Sequence, residues 1–521
     1  MPADPPNILI LQSDEHSFRC LSHCDDARGE PVRTPTFDRL AEHGTNFDQT
    51  YCQMPLCTPS RLCLLTGREV RACNAWSNTN VLPPDCETMP SVLGEAGYDT
   101  CLVGKMHLGG SRQFVGFDDR PYGDLTGGTG HQWEPLARAG GRSIEDRTKD
   151  AGLTEIPESK LQEYVTTRES LSWIREQDHS TDAPWFLFAS FSRPHFPLTS
   201  PRRFLDRYWD IDADEPRPIL TEPKVGRIGE TTTHPMTEGA IEGFRTERIE
   251  EHERQRARAA YFACVDFLDH IIEEFLDTLE RDGLLENTVV VYTSDHGELA
   301  GEHGLWWKHT WHEAATRVPL LIETPEHRSG EDPAATVDTP VSLGDVFPTL
   351  CGLAGVDPPD DLDGTDLIPS VRSGDEPDRG PVFCDNLVPR WGEGTEFRVV
   401  REGRYKYIGF RDAPPLLFDI VADPLEQRNL VDEPDYEDVF ERMAGILEET
   451  MDFEAAADER ERDRRLNEEY ALDAETVSGS GNCYLMPSGS VVDADEPLYD
   501  PTIVIERPAE TFSDCPDTPD T

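Results

Sequence analysis

Short apolar runs that end in polar clusters punctuate the chain. Asn7-Ile8-Leu9-Ile10-Leu11 reads as a buried parallel strand running into Ser13-Asp14-Glu15-His16. Thr36 to His43 has a helical pattern, and Thr58 to Leu65 predicts a helix with proline in its first turn, where a missing N–H costs nothing. Met89 to Ala96 predicts a helix closed by Gly97, followed by the strand Thr100-Cys101-Leu102-Val103. Trp185 to Ser190 predicts an apolar strand that ends before Arg193-Pro194-His195. The clearest helix runs from Glu251 to Arg281. Tyr261, Val265, Leu268, Ile272 and Leu276 recur at helical spacing along it, and Gly283 stops it. Thr288 to Tyr292 is then a β-branched strand leading into Ser294-Asp295-His296-Gly297.

Strands alternating with helices predict an α/β fold, a large mostly parallel sheet sandwiched by helices. Three strands end in polar clusters, at Asp14, at His195, and at Asp295 with His296. Ligands of open α/β sheets bind beyond the carboxyl ends of strands, so the three clusters are expected to share one site. Residues 206–245 are rich in Pro, Asp, Glu and Thr and read as an irregular insertion. After residue 375 the pattern changes. Pro381 to Cys384, Phe397 to Val400, Tyr405 to Ile408 and Leu416 to Asp419 predict short antiparallel strands, and Tyr436 to Thr450 a helix. The expected organisation is a main domain over 1–375, a smaller C-terminal α+β domain over 376–450, and an acidic, partly disordered tail over 451–521. Within that tail Thr502 to Ile505 is expected to dock on the body.

Charge narrows the classes of partner. Lys and Arg total 48 and Asp and Glu 102, a formal net charge of −54. Such a surface does not neutralise phosphates, which excludes sequence-independent nucleic-acid binding and an anionic membrane. Only Lys105, Lys149, Lys160, Lys224, Lys308 and Lys406 are lysines. A chain this acidic repels itself at low salt, and salt screens the repulsion, so it reads as a halophile's cytoplasmic protein. The N-terminus lacks the basic region and cleavage site of a signal peptide, and no apolar run reaches membrane-spanning length. Thirteen cysteines without framework spacing predict reduced thiols.

The most informative stretch is Pro55-Leu56-Cys57-Thr58-Pro59-Ser60-Arg61 with Leu65-Thr66-Gly67-Arg68. Cys57 precedes a predicted helix N-terminus, where the dipole favours an anion, and Arg61 lies one turn on. Read alone, Cys57 is either a nucleophile or its precursor, or a buried thiol beside a helix start.

These residues resemble the signature of the type I sulfatases, in the alkaline-phosphatase-like superfamily. The resemblance continues in order along the chain. Asn7 to Asp14 is similar to the family's first strand and metal-binding aspartate, and Gly104-Lys105-Met106-His107-Leu108-Gly109 resembles its Gly-Lys-Trp-His-Leu-Gly segment. Pro194-His195-Phe196-Pro197, Ser294-Asp295-His296-Gly297-Glu298, Gly304-Leu305-Trp306-Trp307-Lys308 and Arg317-Val318-Pro319-Leu320 follow. Leu417-Phe418-Asp419 with Asp423-Pro424, Glu426 and Asn429-Leu430 resembles its C-terminal domain.

The resemblance implies a sulfatase that hydrolyses a small-molecule or saccharide sulfate ester. Cys57 would be oxidised to formylglycine by a formylglycine-generating enzyme or equivalent. One hydroxyl of the hydrated aldehyde attacks sulfur, and the other expels the sulfate. Asp14, Glu15, Cys57, Asp295 and His296 would bind one divalent metal, Ca²⁺ foremost, with Mg²⁺ or Mn²⁺ as alternatives. Arg61 would hold the nucleophile, Lys105 and Lys308 would contact sulfate, His195 would protonate the leaving oxygen, and His107 would deprotonate the diol.

Two positions depart from the commonest family pattern, Glu15 in place of Asp and His296 in place of Asn. An Asp-His pair marks branches that include choline sulfatases and phosphonate monoester hydrolases. Two alternatives therefore stay open: a phosphomonoester, phosphodiester or phosphonate monoester hydrolase on the same fold, and a catalytically silent homologue acting as a binding module. His303, His309 and His312 crowd the Lys308 loop, as pocket lining or as loop polarity. Trp306, Trp307, Trp311 and Trp391 form either a substrate wall or core packing. The tail could reach a neighbouring subunit of a homo-oligomer.

Overall fold

A computed structural model describes residues 5–24, 27–109, 112–122, 144–177, 183–226 and 233–469, together with the strands Cys483–Leu485 and Val491–Asp493. The expected docking of Thr502 to Ile505 lies outside the described residues.

The core is an eight-stranded sheet. Its strands are β1 (Asn7–Asp14), β2 (Thr45–Phe47), β3 (Asp99–Gly104), β4 (Asp119–Tyr122), β5 (Trp185–Pro194), β6 (Thr288–Ser294), β7 (Leu320–Glu323) and β8 (Ala335–Val337). Their order across the sheet is β8-β2-β7-β6-β1-β5-β3-β4. Only β7 runs against its neighbours, β6 and β2, and the other pairs are parallel. The central strands β1, β5 and β6 are buried almost throughout, which is why they read as continuous apolar runs.

Helices α1 (Pro35–His43), α2 (Cys57–Thr66), α3 (Met89–Glu95), α4 (Gln162–Glu176), α5 (Pro235–Phe244), α6 (Glu251–Arg281) and α7 (Val346–Ala354) accompany the sheet. The contacts sort most of them into two groups. Helices α1, α4 and α6 pack together, and α2, α3 and α7 pack together. Helix α6 spans the residues its periodicity predicts, and its Tyr261, Val265, Leu268, Ile272 and Leu276 are all buried.

Three boundaries differ from the sequence reading. Strand β5 continues past Ser190 to Pro194, because the polar residues Ser190, Ser192 and Arg193 are buried beside the sheet's end. The stretch read as irregular, 206–245, contains the ten-residue helix α5 and two short paired strands, Trp209–Asp210 and Glu215–Pro216. The imidazole of His234 caps α5 by accepting the N–H of Met236, a signal that periodicity does not carry. Third, the acidic stretch after residue 451 begins as a helix.

C-terminal to the main sheet, β9 (Val382–Asn386), β10 (Phe397–Glu402), β11 (Tyr405–Phe410) and β12 (Leu416–Asp419) form an antiparallel meander covered by α8 (Glu437–Thr450). Val400, Tyr407, Leu417, Leu430 and Met443 make its own small core. Helix α9 (Phe453–Glu469) then returns to the main body. Glu459 pairs with Arg71 at 2.8 Å, and Asp463 accepts the indole N–H of Trp76 at 2.9 Å. The eleven cysteines described are all free thiols. Among the described residues no helix is long and apolar enough to cross a membrane.

Candidate active site

Strands β1, β5 and β6 deliver Asp14, His195 and Asp295 to one end of the sheet, as the three polar clusters predict. Register explains the meeting. Ser13 pairs with Ser294, and Asp14 lies opposite Pro194, one residue before His195. Helix α2 brings Cys57 at its first turn, with Leu56 as an extended N-cap. Two glycines permit the close approach. A Cβ on Gly104 would collide with the carbonyl of Ser190, and one on Gly297 with the carbonyl of Ala314.

Cys57 sits at the centre. Its sulfur lies 3.3 Å from Lys308 Nζ, 3.3 Å from His296 Nε2 and 3.8 Å from Asp14 Oδ1. The His107 side chain also hydrogen-bonds it. Burial alone pushes a thiol up, but Lys308, Lys105, His296 and the His107 hydrogen bond outweigh it and hold Cys57 well below the usual thiol range. Burial likewise disfavours charge on Lys308, yet Cys57 and Glu15 raise it above the ordinary lysine value. These contacts set the sulfur among cations.

Arg61 spans two carboxylates. Its Nε donates to Asp295 Oδ2 at 2.8 Å and its Nη2 to Asp14 Oδ2 at 2.8 Å. Its Nη1 donates to the Lys105 carbonyl at 2.7 Å and to Ser190 Oγ at 2.8 Å. Among the described residues it makes no hydrogen bond to Cys57. The guanidinium fork links the two carboxylates through separate nitrogens held in one plane.

That locking turns both Oδ1 atoms elsewhere. Asp14 Oδ1 faces Cys57, while Asp295 Oδ1 accepts the backbone N–H of Glu15 at 3.1 Å and that of His296 at 2.9 Å. His296 Nδ1 lies 3.0 Å from the Gly297 carbonyl, which can only accept, so Nδ1 donates there and Nε2 faces Cys57. Burial pushes Asp14 up, and Cys57 adds to that, but Lys105, His195 and Arg61 together hold it far below the carboxylate range. Asp295 moves the other way, raised by burial and by the neighbouring charge of Asp14.

Lys105, fully buried, places Nζ 2.6 Å from Asp14 Oδ2. His195 donates its backbone N–H to the Asp14 carbonyl at 3.0 Å. Its Nδ1 lies 2.8 Å from the Phe196 carbonyl, so Nε2 faces the site, 3.8 Å from Asp14 Oδ1 and 3.5 Å from Glu15 Oε2. Burial, Lys105 and Lys308 push the imidazole well below its usual value. Glu15 reaches Lys308 Nζ at 3.4 Å, and burial raises its carboxyl well above the ordinary range.

Donor atoms of Asp14, Cys57, Asp295 and His296 all lie within 4.8 Å of one another, and so do those of Asp14, Glu15 and His195. The first set fits a divalent cation, with two carboxylate oxygens and an imidazole nitrogen whose tautomer is already fixed. Glu15 belongs to the second set rather than the first, on the His195 side of Asp14.

Glu298 and Tyr261, given no role in the site by the motif reading, help hold this constellation. Glu298 Oε1 accepts the N–H groups of Ala300 at 2.8 Å and Trp307 at 2.5 Å, fixing the loop that carries Lys308. Tyr261 Oη donates to the Glu15 carbonyl at 2.8 Å. Glu15, His107, Trp307 and His309 have left-handed backbones, with φ of 69°, 56°, 76° and 66°. Each such conformation costs about 1–3 kcal/mol, and they cluster around Cys57. His309 and Trp307 line a cavity beside Cys57, whereas Trp311 is buried in the core against Phe418, with ring centres 5.3 Å apart. His303 and His312 pack against each other in the interior, 4.2 Å apart.

The architecture is that of the alkaline-phosphatase-like hydrolases. Phosphonate monoester hydrolase of Agrobacterium radiobacter shares it with a TM-score of 0.69 at 25% identity, over 94% of this chain and 99% of that one. The sulfatase family model matches residues 6–356, and a model described as N-sulphoglucosamine sulphohydrolase, C-terminal, matches 301–452. Choline-sulfatase of Rhizobium meliloti is 31% identical over 449 residues, 83% of this chain and 84% of that protein. Arylsulfatase K of Bos taurus is 28% identical over 458 residues, 82% of this chain and 78% of that protein. The chain belongs to the sulfatase family, type I, and is an enzyme of sulfate ester hydrolysis.

Proposed function

We propose that the enzyme cleaves a small-molecule or saccharide sulfate ester with water, releasing an alcohol and sulfate, through a nucleophile made from Cys57. The observation that carries this is the placement of the Cys57 sulfur between Lys308 Nζ and His296 Nε2, 3.3 Å from each. A plain structural thiol has no use for that environment, whereas a residue that must receive a sulfuryl group has. As formylglycine, put in place by a maturation enzyme, this position supplies a hydrated aldehyde as nucleophile.

Asp14, Asp295 and His296, with the side chain at position 57, would hold one divalent cation. Its charge would favour the anionic substrate and an ionised nucleophile. Carboxylate oxygens suit Ca²⁺ or Mg²⁺, and His296 admits Mn²⁺. Arg61 holds the two carboxylates in their orientation. Lys308 and Lys105 bind sulfate oxygens from fixed, buried positions, so they stabilise developing charge without reorganising. His107, hydrogen-bonded to position 57, takes a proton from the nucleophile. His195 gives one to the leaving oxygen from Nε2, and the bound sulfate anion beside Lys105 and Lys308 offsets the repulsion that keeps this ring neutral.

Sulfate release from 4-nitrophenyl sulfate, compared with turnover of 4-nitrophenyl phosphate and 4-nitrophenyl phenylphosphonate, tests the reading. Sulfate is expected to lead in kcat/KM. A lead of phosphate or phosphonate esters would move the function to the phosphoryl side of the same fold.

A further inference from the structure

A cavity of about 260 Å³ opens beside the nucleophile. Its lining includes Leu56, which precedes Cys57, and Trp307, which precedes Lys308. Asn78, another lining residue, accepts the backbone N–H of Thr58 at 3.1 Å. The cavity therefore adjoins the first turn of α2, where the alcohol part of an ester attacked at position 57 must lie.

Its charge contrasts with that of the chain. The protein has 102 acidic residues, yet the described lining contains no carboxylate. Arg390 is the one lysine or arginine among the lining residues. His309 is held well below its usual pKa by burial, Arg390 and Lys308, which leaves it neutral. Outside the lining, but against its Trp307, stands a second guanidinium, that of Arg147, 3.6 Å from the ring centre of Phe196 and 5.1 Å from that of Trp307. Arg390 lies 5.6 Å from the same Trp307 ring. Neither arginine makes an ion pair with a described residue, and Arg147 Nε is buried without a hydrogen-bond partner among them. Burial and the charge of Arg390 work against Glu15 and Glu298 to bring Arg147 down to about 10. Two guanidiniums around one indole, neither in an ion pair with a described residue, repel each other, and an anion joining them would relieve that repulsion.

Resting on the hydrolase reading above, we infer that the alcohol moiety of the substrate carries a second oxyanion, a carboxylate or another sulfate, which Arg390 and Arg147 bind while Trp307 packs against its body. Guanidinium forks suit both groups. A quaternary ammonium head, as in the substrate named for the Rhizobium relative, would meet arginine and no carboxylate in this cavity. The enzyme is thereby assigned to polyanionic rather than cationic sulfate esters.

The test uses matched aryl esters on the metal-loaded, formylglycine-bearing enzyme: phenyl sulfate, 4-carboxyphenyl sulfate, benzene-1,4-diyl disulfate and 4-(trimethylammonio)phenyl sulfate. The readout is the ratio of kcat/KM for each charged ester to that for phenyl sulfate, in wild type, Arg390→Ala and Arg147→Ala. Comparing ratios across variants cancels the differing reactivity of the phenols. The two anionic esters are expected to lose at least fivefold in this ratio with either variant, mostly through KM, and the cationic ester to gain. Which anionic ester loses more separates a carboxylate subsite from a sulfate subsite. The inference is overturned if the ratios are the same in all three proteins, as a purely structural role would give, or if the wild type prefers the cationic ester. Calorimetric binding of 4-carboxyphenyl sulfate and phenyl sulfate to Cys57→Ala, with and without Arg390→Ala, separates the two readings. Absent turnover of every sulfate ester defeats the hydrolase reading. An unchanged ratio of dissociation constants defeats this one.

Discussion

Lys308 holds its ammonium 3.3 Å from the sulfur of Cys57, both of them fully buried. In the interior of a protein with a net charge of −54, that contact builds a local electropositive site. The first consequence concerns the lysine itself. Lys308→Met keeps the apolar stem and removes the charge. Loss of one fixed donor to a developing oxyanion is expected to lower kcat by about 10²–10³-fold. Steady-state kinetics with 4-nitrophenyl sulfate measures it. A loss confined to KM would place Lys308 in ground-state binding instead.

Arg61 ties Asp14 to Asp295 through separate nitrogens, so its removal leaves two buried carboxylates facing each other. Breaking such a buried cluster typically costs about 3–5 kcal/mol. Arg61→Lys keeps the charge but replaces three donating nitrogens by one on a shorter reach, so the bonds to both carboxylates, Lys105 and Ser190 cannot all be kept, and it is expected to lose a large part of that stability. Urea denaturation of the variant reads the loss. A midpoint equal to wild type would show that the fork is not what orders these carboxylates.

Activity should require a divalent cation. Prolonged chelation is expected to abolish turnover, and Ca²⁺, Mg²⁺ or Mn²⁺ to restore it. Asp295→Asn is expected to weaken the restoring ion by about 10-fold or more. Titration of chelated enzyme with each ion measures this, and full activity in chelator would remove the metal from the account.

A pH prediction falls outside the site. Glu313, Glu426 and Lys406 form a buried group that joins the C-terminal meander to the main body, with Lys406 Nζ 2.8 Å from each glutamate. Burial pushes Glu313 up, but Lys406 and Arg317 bring it down to about 2 from an ordinary 4.5. A depressed carboxyl contributes stability that is fully present above its unfolded pKa and is lost as pH falls through the folded one. The contribution of Glu313 should therefore be lost as pH falls from about 4.5 to 2, whereas Glu426, which burial pushes up to about 7, works against the fold as pH rises from 4.5 to 7. Glu313→Gln is expected to be less stable than wild type at neutral pH and to narrow the gap over that acid window. Denaturation midpoints at a series of pH values check the sign.

Salt supplies another check. With 102 acidic residues against 48 basic ones, self-repulsion opposes compaction at low ionic strength. Raising KCl from dilute buffer to molar levels shrinks the screening length from tens of ångströms to about 3 Å and should raise the unfolding temperature by several degrees. A flat or falling temperature would mean that repulsion among the surface acids does not limit stability.

Much of this structure was legible before the fold was known, and the reason is local. The strands β1 and β6 are apolar because they are buried on both faces, and helix α6 announces itself because it carries a buried apolar face from Ala257 to Leu279. Strand-ending clusters found Asp14, His195 and Asp295 because chemistry on such a sheet gathers where strands stop. What stayed hidden depends on distance in sequence. The partners of Arg61 lie 47 and 234 residues away, and a motif in which Cys57 and Arg61 are neighbours does not reveal them. The role of Glu298 depends on a loop folding back to offer Trp307 N–H. Helix α5 was missed because an imidazole cap and tertiary packing, rather than periodicity, define it.

The central claim is that position 57 is the nucleophile in modified form. Peptide mass spectrometry across Cys57, on protein from its native host or a close surrogate, should be paired with sulfate release by the same preparation and by Cys57→Ala. The account predicts an aldehyde at position 57 in proportion to activity, and a folded Cys57→Ala variant slower by at least ~10³-fold. Full activity from a preparation whose Cys57 is an intact thiol, or from Cys57→Ala itself, would contradict it.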